Sequence, residues 1–130
     1  MQIDSTLKQA YVETFFYIDQ TIGFSSFCVI TACNPRSIIL DDEENLRRNS
    51  QLEALLQLNK TLRLLAGDIN LEWSEASYAV EISLQNGLDL ASMFDQNAIY
   101  YVESGELYLA FVTGEIEKIG KFESKVKPMP

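Results

Sequence analysis

The sequence predicts an α+β fold: a two-layer sandwich in which an antiparallel sheet carries two helices on one face. Three observations lead there. Short runs rich in aromatic and β-branched residues recur along the chain, as half-buried strands require. Two segments, near residues 42–59 and 84–95, place their apolar residues at helical spacing. Ser104-Gly105 separates two alternating runs, which is a hairpin signal.

Residues 11–18 (YVETFFYI) and 24–33 (FSSFCVITAC) are expected to be the first two strands, with Gly23 marking the turn between them. Asn34-Pro35 ends the second, because proline has no N–H for the ladder and drives the preceding residue out of helical space. Asp41 and Glu44 form a D-x-x-E helix start, in which Asp41 caps the first turn and neighbouring acids favour the positive end. Over residues 42–59, at 100° per residue, Asn45, Asn49, Leu52, Leu56 and Asn59 lie within about 40° of one line, with Leu55 beside it. Two asparagines thus continue a leucine stripe toward the helix start. Residues 61–66 and 77–83 read as two further strands around the loop GDINLEWSEA. Residues 84–95 read as a short helix with Leu84, Leu88 and Ala91 on one face, despite Gly87. Residues 98–102 and 107–113 make the hairpin, and a last strand falls near 115–119.

The order is ββαββαββ, and strands two to five with their helices make a ferredoxin-like β-α-β-β-α-β unit. Residues 1–120 are expected to form a single domain. Residues 121–130, with Lys121, Lys125, Lys127 and two prolines, are expected to be a loosely ordered tail. Such a sheet leaves its other face, or an edge, open to a protein partner or to a homodimer.

Composition narrows the function classes. The chain has 130 residues, 47% of them hydrophobic, enough to bury one continuous core. The longest uncharged stretch, residues 20–35, is broken by Gly23 and two serines and is not a membrane span. The start MQIDSTLKQA lacks the features of a secretory leader, so a cytoplasmic protein is expected. Cys28 and Cys33, in extended chain, would stand roughly 16 Å apart, beyond the reach of a disulfide. They are expected to be buried thiols. Net charge is −9, with 6 basic and 16 acidic groups in residues 1–113 against 4 and 3 in residues 114–130. An acidic body repels phosphate backbones, so direct nucleic-acid binding is not expected.

The chain contains no histidine. That removes histidine-dependent nucleophile systems, histidine acid–base work and histidine-containing zinc sites. Neither a G-x-x-x-x-G-K-[ST] nor a G-x-G-x-x-G loop occurs. What remains is oxygen and amide chemistry in three places. Thr31, Asn34 and Ser37 follow the second strand and lead into the helix that bears Asn45 and Asn49. Asp68, Glu72 and Glu75 surround Trp73, and three carboxylates there are the oxygen donors that a divalent metal would use. Gln96-Asn97 joins the second helix to the next strand. For each, a structural role stands beside the functional one: amides that tie down loops, acids that stay solvated, and a tryptophan that covers the sheet edge.

Taken together, I-T-A-C-N-P-R-S at residues 30–37, E-N-L-R-R-N-S-Q-L at 44–52, W-S-E-A-S at 73–77 and Q-N-A-I at 96–99 resemble a bacterial family catalogued as domain of unknown function 3293. The resemblance spans about residues 11–111. It implies that Asn34, Pro35, Asn45, Asn49, Trp73, Glu75, Gln96 and Asn97 are this chain's versions of the family signature, and that the three polar places belong to one constellation.

The expectation drawn from all this is a non-catalytic binding or regulatory module. Its Asn/Gln/Glu pocket would hold a small polar ligand or a peptide segment, with no cofactor. The alternatives are a metal-assisted hydrolase or phosphoesterase using Asp68, Glu72 and Glu75, and an acidic inhibitor that imitates nucleic acid.

Overall fold

The computed structural model of the chain describes residues 5–130; residues 1–4, where the stretch read for a leader begins, lie outside the described residues. Helix α1 (Ser5–Val12) leads into strands β1 (Phe15–Ile18) and β2 (Ser26–Ile30). Helix α2 (Asp42–Leu55), strands β3 (Thr61–Gly67) and β4 (Ser74–Val80) and helix α3 (Leu84–Met93) follow. Strands β5 (Ala98–Glu103), β6 (Glu106–Phe111), β7 (Ile116–Lys121) and β8 (Val126–Pro128) complete the chain, with 3-10 turns at Pro35–Ser37 and Phe122–Lys125. The eight strands form one sheet in the order β7-β6-β5-β2-β4-β3-β1-β8. Every neighbouring pair is antiparallel except β1 and β8, which run parallel.

The sheet curls into a half-barrel. β1 and β5 have three strands between them, so a flat sheet at about 4.8 Å per strand would hold them roughly 19 Å apart. Instead Phe16 of β1 meets Tyr100 of β5 with ring centroids 4.9 Å apart. Side-chain alternation then sorts β2 into two cores: Phe27 and Val29 face the concave side, Cys28 and Ile30 the convex one. On the convex side lie Leu52 and Leu56 from the end of α2 and Ala91 and Phe94 from α3. Both helices foreseen from sequence therefore cover one face.

The other face is not free. It is filled by the curl itself, by Tyr11 and Val12 of α1, and by Phe122, whose ring lies 5.2 Å from Phe16 and 5.3 Å from Phe27. The α+β class holds, but an all-antiparallel two-layer sandwich with an open face does not form. Residues 121–130, read from sequence as a loose tail, instead supply Phe122 to the core and β8 to the edge of β1. Residues 11–12, read as the start of a strand, close α1. Tyr11 packs edge-on against Tyr100 and Phe111, at 6.4 and 6.3 Å, and tertiary packing outweighs the β preference of an aromatic next to a valine.

Local chemistry explains the remaining boundaries. Asp41 caps α2 by accepting the Glu44 N–H at 2.8 Å. Ser83 caps α3 by accepting the Asn86 N–H at 3.1 Å. Ser104 and Gly105 both take positive φ (50° and 81°), the backbone that a two-residue hairpin turn requires. Gly87 sits in α3 because the helix lies hard against the sheet: a Cβ there would stand 2.6 Å from Cys28 Sγ. Cys28 and Cys33 are both buried and unpaired, and burial pushes the Cys28 thiol up to about 12. No described helix is long and apolar enough to cross a membrane.

Gly67 closes β3 opposite Ser74, where a Cβ would stand 2.6 Å from the Trp73 carbonyl oxygen. Backbone cannot swing aside as a side chain does, so Gly67→Ala is expected to lower stability by about 1–3 kcal/mol. Urea unfolding measures it; an unchanged midpoint would show that the Trp73 segment yields.

Candidate functional site

Beyond Ile30 the ladder between β2 and β4 stops at the Ile30–Tyr78 pair, and side chains take over the backbone groups. Asn49 of α2 accepts the Ala32 N–H at 2.8 Å and donates to the Ala76 carbonyl at 2.8 Å. Thr31 donates to the same carbonyl at 2.8 Å. Gln96 donates to the Cys33 carbonyl at 3.0 Å, and Arg48 donates to the carbonyls of Ala32 and Phe94. A buried backbone group without a partner costs about 1–3 kcal/mol, so these side chains hold the strand end in place.

The chain then turns sharply. Asn34, Arg36 and Ser37 take left-handed φ values of 48°, 51° and 62°. Asparagine tolerates that region; arginine and serine do so at a cost of about 1–3 kcal/mol each unless the surroundings enforce it. Here Arg36 N–H donates to the Asp95 carbonyl at 2.7 Å and Ser37 N–H to the Asn34 carbonyl at 2.9 Å.

Asn34 is the hub of the site. Its side-chain oxygen accepts from the Leu40 N–H and from the Asn45 amide, both at 2.9 Å. Its backbone N–H donates to the Asn45 side-chain oxygen at 2.9 Å, and its side-chain amide donates to Glu75 Oε2 at 2.8 Å. One residue thus ties loop, helix start and β4 together. Burial raises the Glu75 pKa above the usual carboxylate range, with the Asn34 bond opposing it. None of the ion pairs among the described residues includes Glu75.

These groups border a cavity of about 360 Å³. Thr31, Asn34 and Ser37 line it from the loop, Asn45 from α2, Trp73 and Glu75 from the start of β4, and Gln96 from below. Of the residues singled out from sequence, seven therefore meet at one hollow. Asn49 and Asn97 stand behind it: Asn49 makes the bonds above, and Asn97 donates to Ser37 Oγ at 3.1 Å. The Asp68, Glu72 and Glu75 carboxylates do not converge. Asp68 accepts the Trp73 N–H at 3.1 Å, and among the described residues no group of three or more His, Cys, Asp or Glu is placed to hold a metal ion.

A fourth wall escaped the sequence reading. Leu7, Ala10 and Tyr11 of α1 and Thr14 just after it line the cavity, and their i, i+3, i+4, i+7 spacing was the available signal. Burial raises the Tyr11 pKa, while the neighbouring Ser37 and Asn97 side chains oppose the shift. Ile39 and Leu40 close the remaining side.

An α+β half-barrel with a hollow of amides, two carboxylates and two aromatics between an N-terminal helix and a strained loop is the kind of protein these observations define. The family model described as "Protein of unknown function (DUF3293)" matches residues 30–99, more than half the chain, and the chain belongs to that family. All four motifs that carry the resemblance fall within the matched stretch, whereas α1 precedes it. No curated protein and no solved structure matches the chain.

Removing the Asn49 side chain orphans the Ala32 N–H, so Asn49→Ala is expected to lose about 1–3 kcal/mol in chemical denaturation; a loss below about 0.5 kcal/mol, the range of ordinary surface changes, would show that other groups can take its place. Glu75 gives the opposite sign. Because its folded pKa lies above the unfolded one, the unfolded chain ionises first as pH rises, and stability falls between the two values. Glu75→Gln keeps an acceptor for Asn34 and removes that loss. The variant should be the more stable at pH 7, with the difference shrinking as pH falls through the usual glutamate range near about 4. A difference independent of pH would refute the burial argument.

Proposed function

We propose that the hollow is a ligand site and that the protein is a non-catalytic binding or regulatory module for a small polar molecule. The observation that carries this reading is Glu75, a half-buried carboxylate fixed by Asn34 at the wall of a cavity whose other charged lining residue, among those described, is the acid Asp42. Glu75 accepts through Oε2, and among the described residues no hydrogen bond engages its Oε1. Preformed hollows with an apolar lining and a few convergent polar groups are the usual form of small-molecule sites. The absence of histidine from the chain favours binding over acid–base turnover. The scaffold is read as a split ferredoxin-like unit from β2 to β5; the order β5-β2-β4-β3 with antiparallel neighbours supports that reading.

The test is a fragment screen by protein NMR on the wild type and on Ala10→Trp, an exposed helix position on the cavity wall. Hits are expected to shift the Trp73 indole and the Asn34 and Asn45 side-chain amides. Ala10→Trp should weaken them by roughly tenfold or more, equivalent to about 1.4 kcal/mol. Hits mapping elsewhere, or binding both proteins equally, would remove the hollow as a site.

A further inference from the structure

We infer that the ligand of this hollow is an organic cation, a protonated amine carried on a small apolar body, with its charge received by Glu75. The inference rests on the reading of the hollow as a binding site and adds the chemistry of what enters it.

Charge is the first argument. Among the described residues, the acidic or basic side chains that line the cavity are Asp42 and Glu75, and both are acids. The basic groups nearby are engaged elsewhere: Arg36 with Asp95, Arg47 with Glu44, Lys8 with Glu117, and Arg48 with two backbone carbonyls. The start of α2 contributes roughly half a positive charge from its backbone dipole. Against it stand four acids, the cap Asp41 and first-turn Asp42, Glu43 and Glu44, so the helix end is negative on balance. An anionic ligand would meet net repulsion and no counter-charge.

Desolvation is the second. A carboxylate partly withdrawn from water gains from a partner of opposite charge, and half-buried Glu75 is offered only a neutral amide. A ligand ammonium at Oε1 would supply that partner without disturbing the Asn34 bond at Oε2. Aromatic faces are the third. Trp73, 41% exposed, and Tyr11 border the same space, and aromatic rings attract organic cations. Finally, Leu7, Ala10, Ile39 and Leu40 give the cavity an apolar side that a bare ammonium ion would leave unfilled. The volume of about 360 Å³ lies near the lower end of the range of small-molecule sites, so the body is small.

Three probes of one shape separate charge from fit: 2-phenylethylamine, 2-phenylethanol and 3-phenylpropanoate, titrated into the protein at millimolar concentration and followed by NMR at the Trp73 indole. The amine is expected to bind about 10- to 100-fold tighter than the alcohol, as a charge-assisted bond allows, and the carboxylate more weakly than either. Glu75→Gln should bring the amine down to the alcohol's affinity, and Ala10→Trp should weaken both. Because the wild-type ranking alone decides the matter, the inference stays testable should a variant fail to fold. Equal binding of amine and alcohol, tighter binding of the carboxylate, or an amine preference that survives Glu75→Gln overturns the cation while leaving the hollow a site. If no probe shifts the indole, the cation fails; if the fragment screen on the same protein is also silent there, the binding reading fails with it.

Discussion

Buried backbone groups must be hydrogen-bonded, and the whole functional end of this molecule follows from how that demand is met where β2 and β4 part. The ladder stops at Ile30, and the next N–H and C=O groups are taken by Asn49, Thr31, Gln96 and Arg48. Amides suit the task because each carries both donor and acceptor. Once they are in place, the strand end has one conformation, the loop after it must turn through three left-handed residues, and Asn34 arrives opposite Glu75. Among the described residues no buried side-chain polar atom is left without a partner.

The same network holds Glu75 half-buried, where a carboxylate is less at ease than in water. Water would hydrate it more generously than the cavity wall does, and burial raises its pKa accordingly. Stability alone would favour a neutral side chain there. A charge held against its own preference, in a hollow with apolar and aromatic walls, is an arrangement that a ligand can complete, and perturbed groups in clefts are the usual marks of functional sites.

Much of this was legible in the residues. The apolar runs marked β2 to β6, the D-x-x-E start marked α2, and the line of Asn45, Asn49, Leu52 and Leu56 placed the amides against the sheet before any geometry was known. Seven site residues were named from motif and spacing and meet at one cavity. The curl was not legible, because nothing in a strand's alternation says which distant strand it will face. For α1 two local signals conflict: Tyr11 beside Val12 favours strand, the spacing of Leu7, Ala10 and Tyr11 favours helix, and packing on Tyr100 and Phe111 goes with the helix.

Sequence by itself determined the class of the fold, the position of the capped helices and hairpin, the pairing of amides with one carboxylate, and the absence of histidine chemistry, since each rests on local stereochemistry or on residue type. Tertiary structure decided that the sheet curls into a half-barrel, that the C-terminal end joins it through β8 and Phe122, that Asp68, Glu72 and Glu75 form no group placed to hold a metal ion, and that α1 supplies a wall of the hollow. Those outcomes depend on contacts between residues far apart in the chain, whose free energy exists only once the core that brings them together has formed.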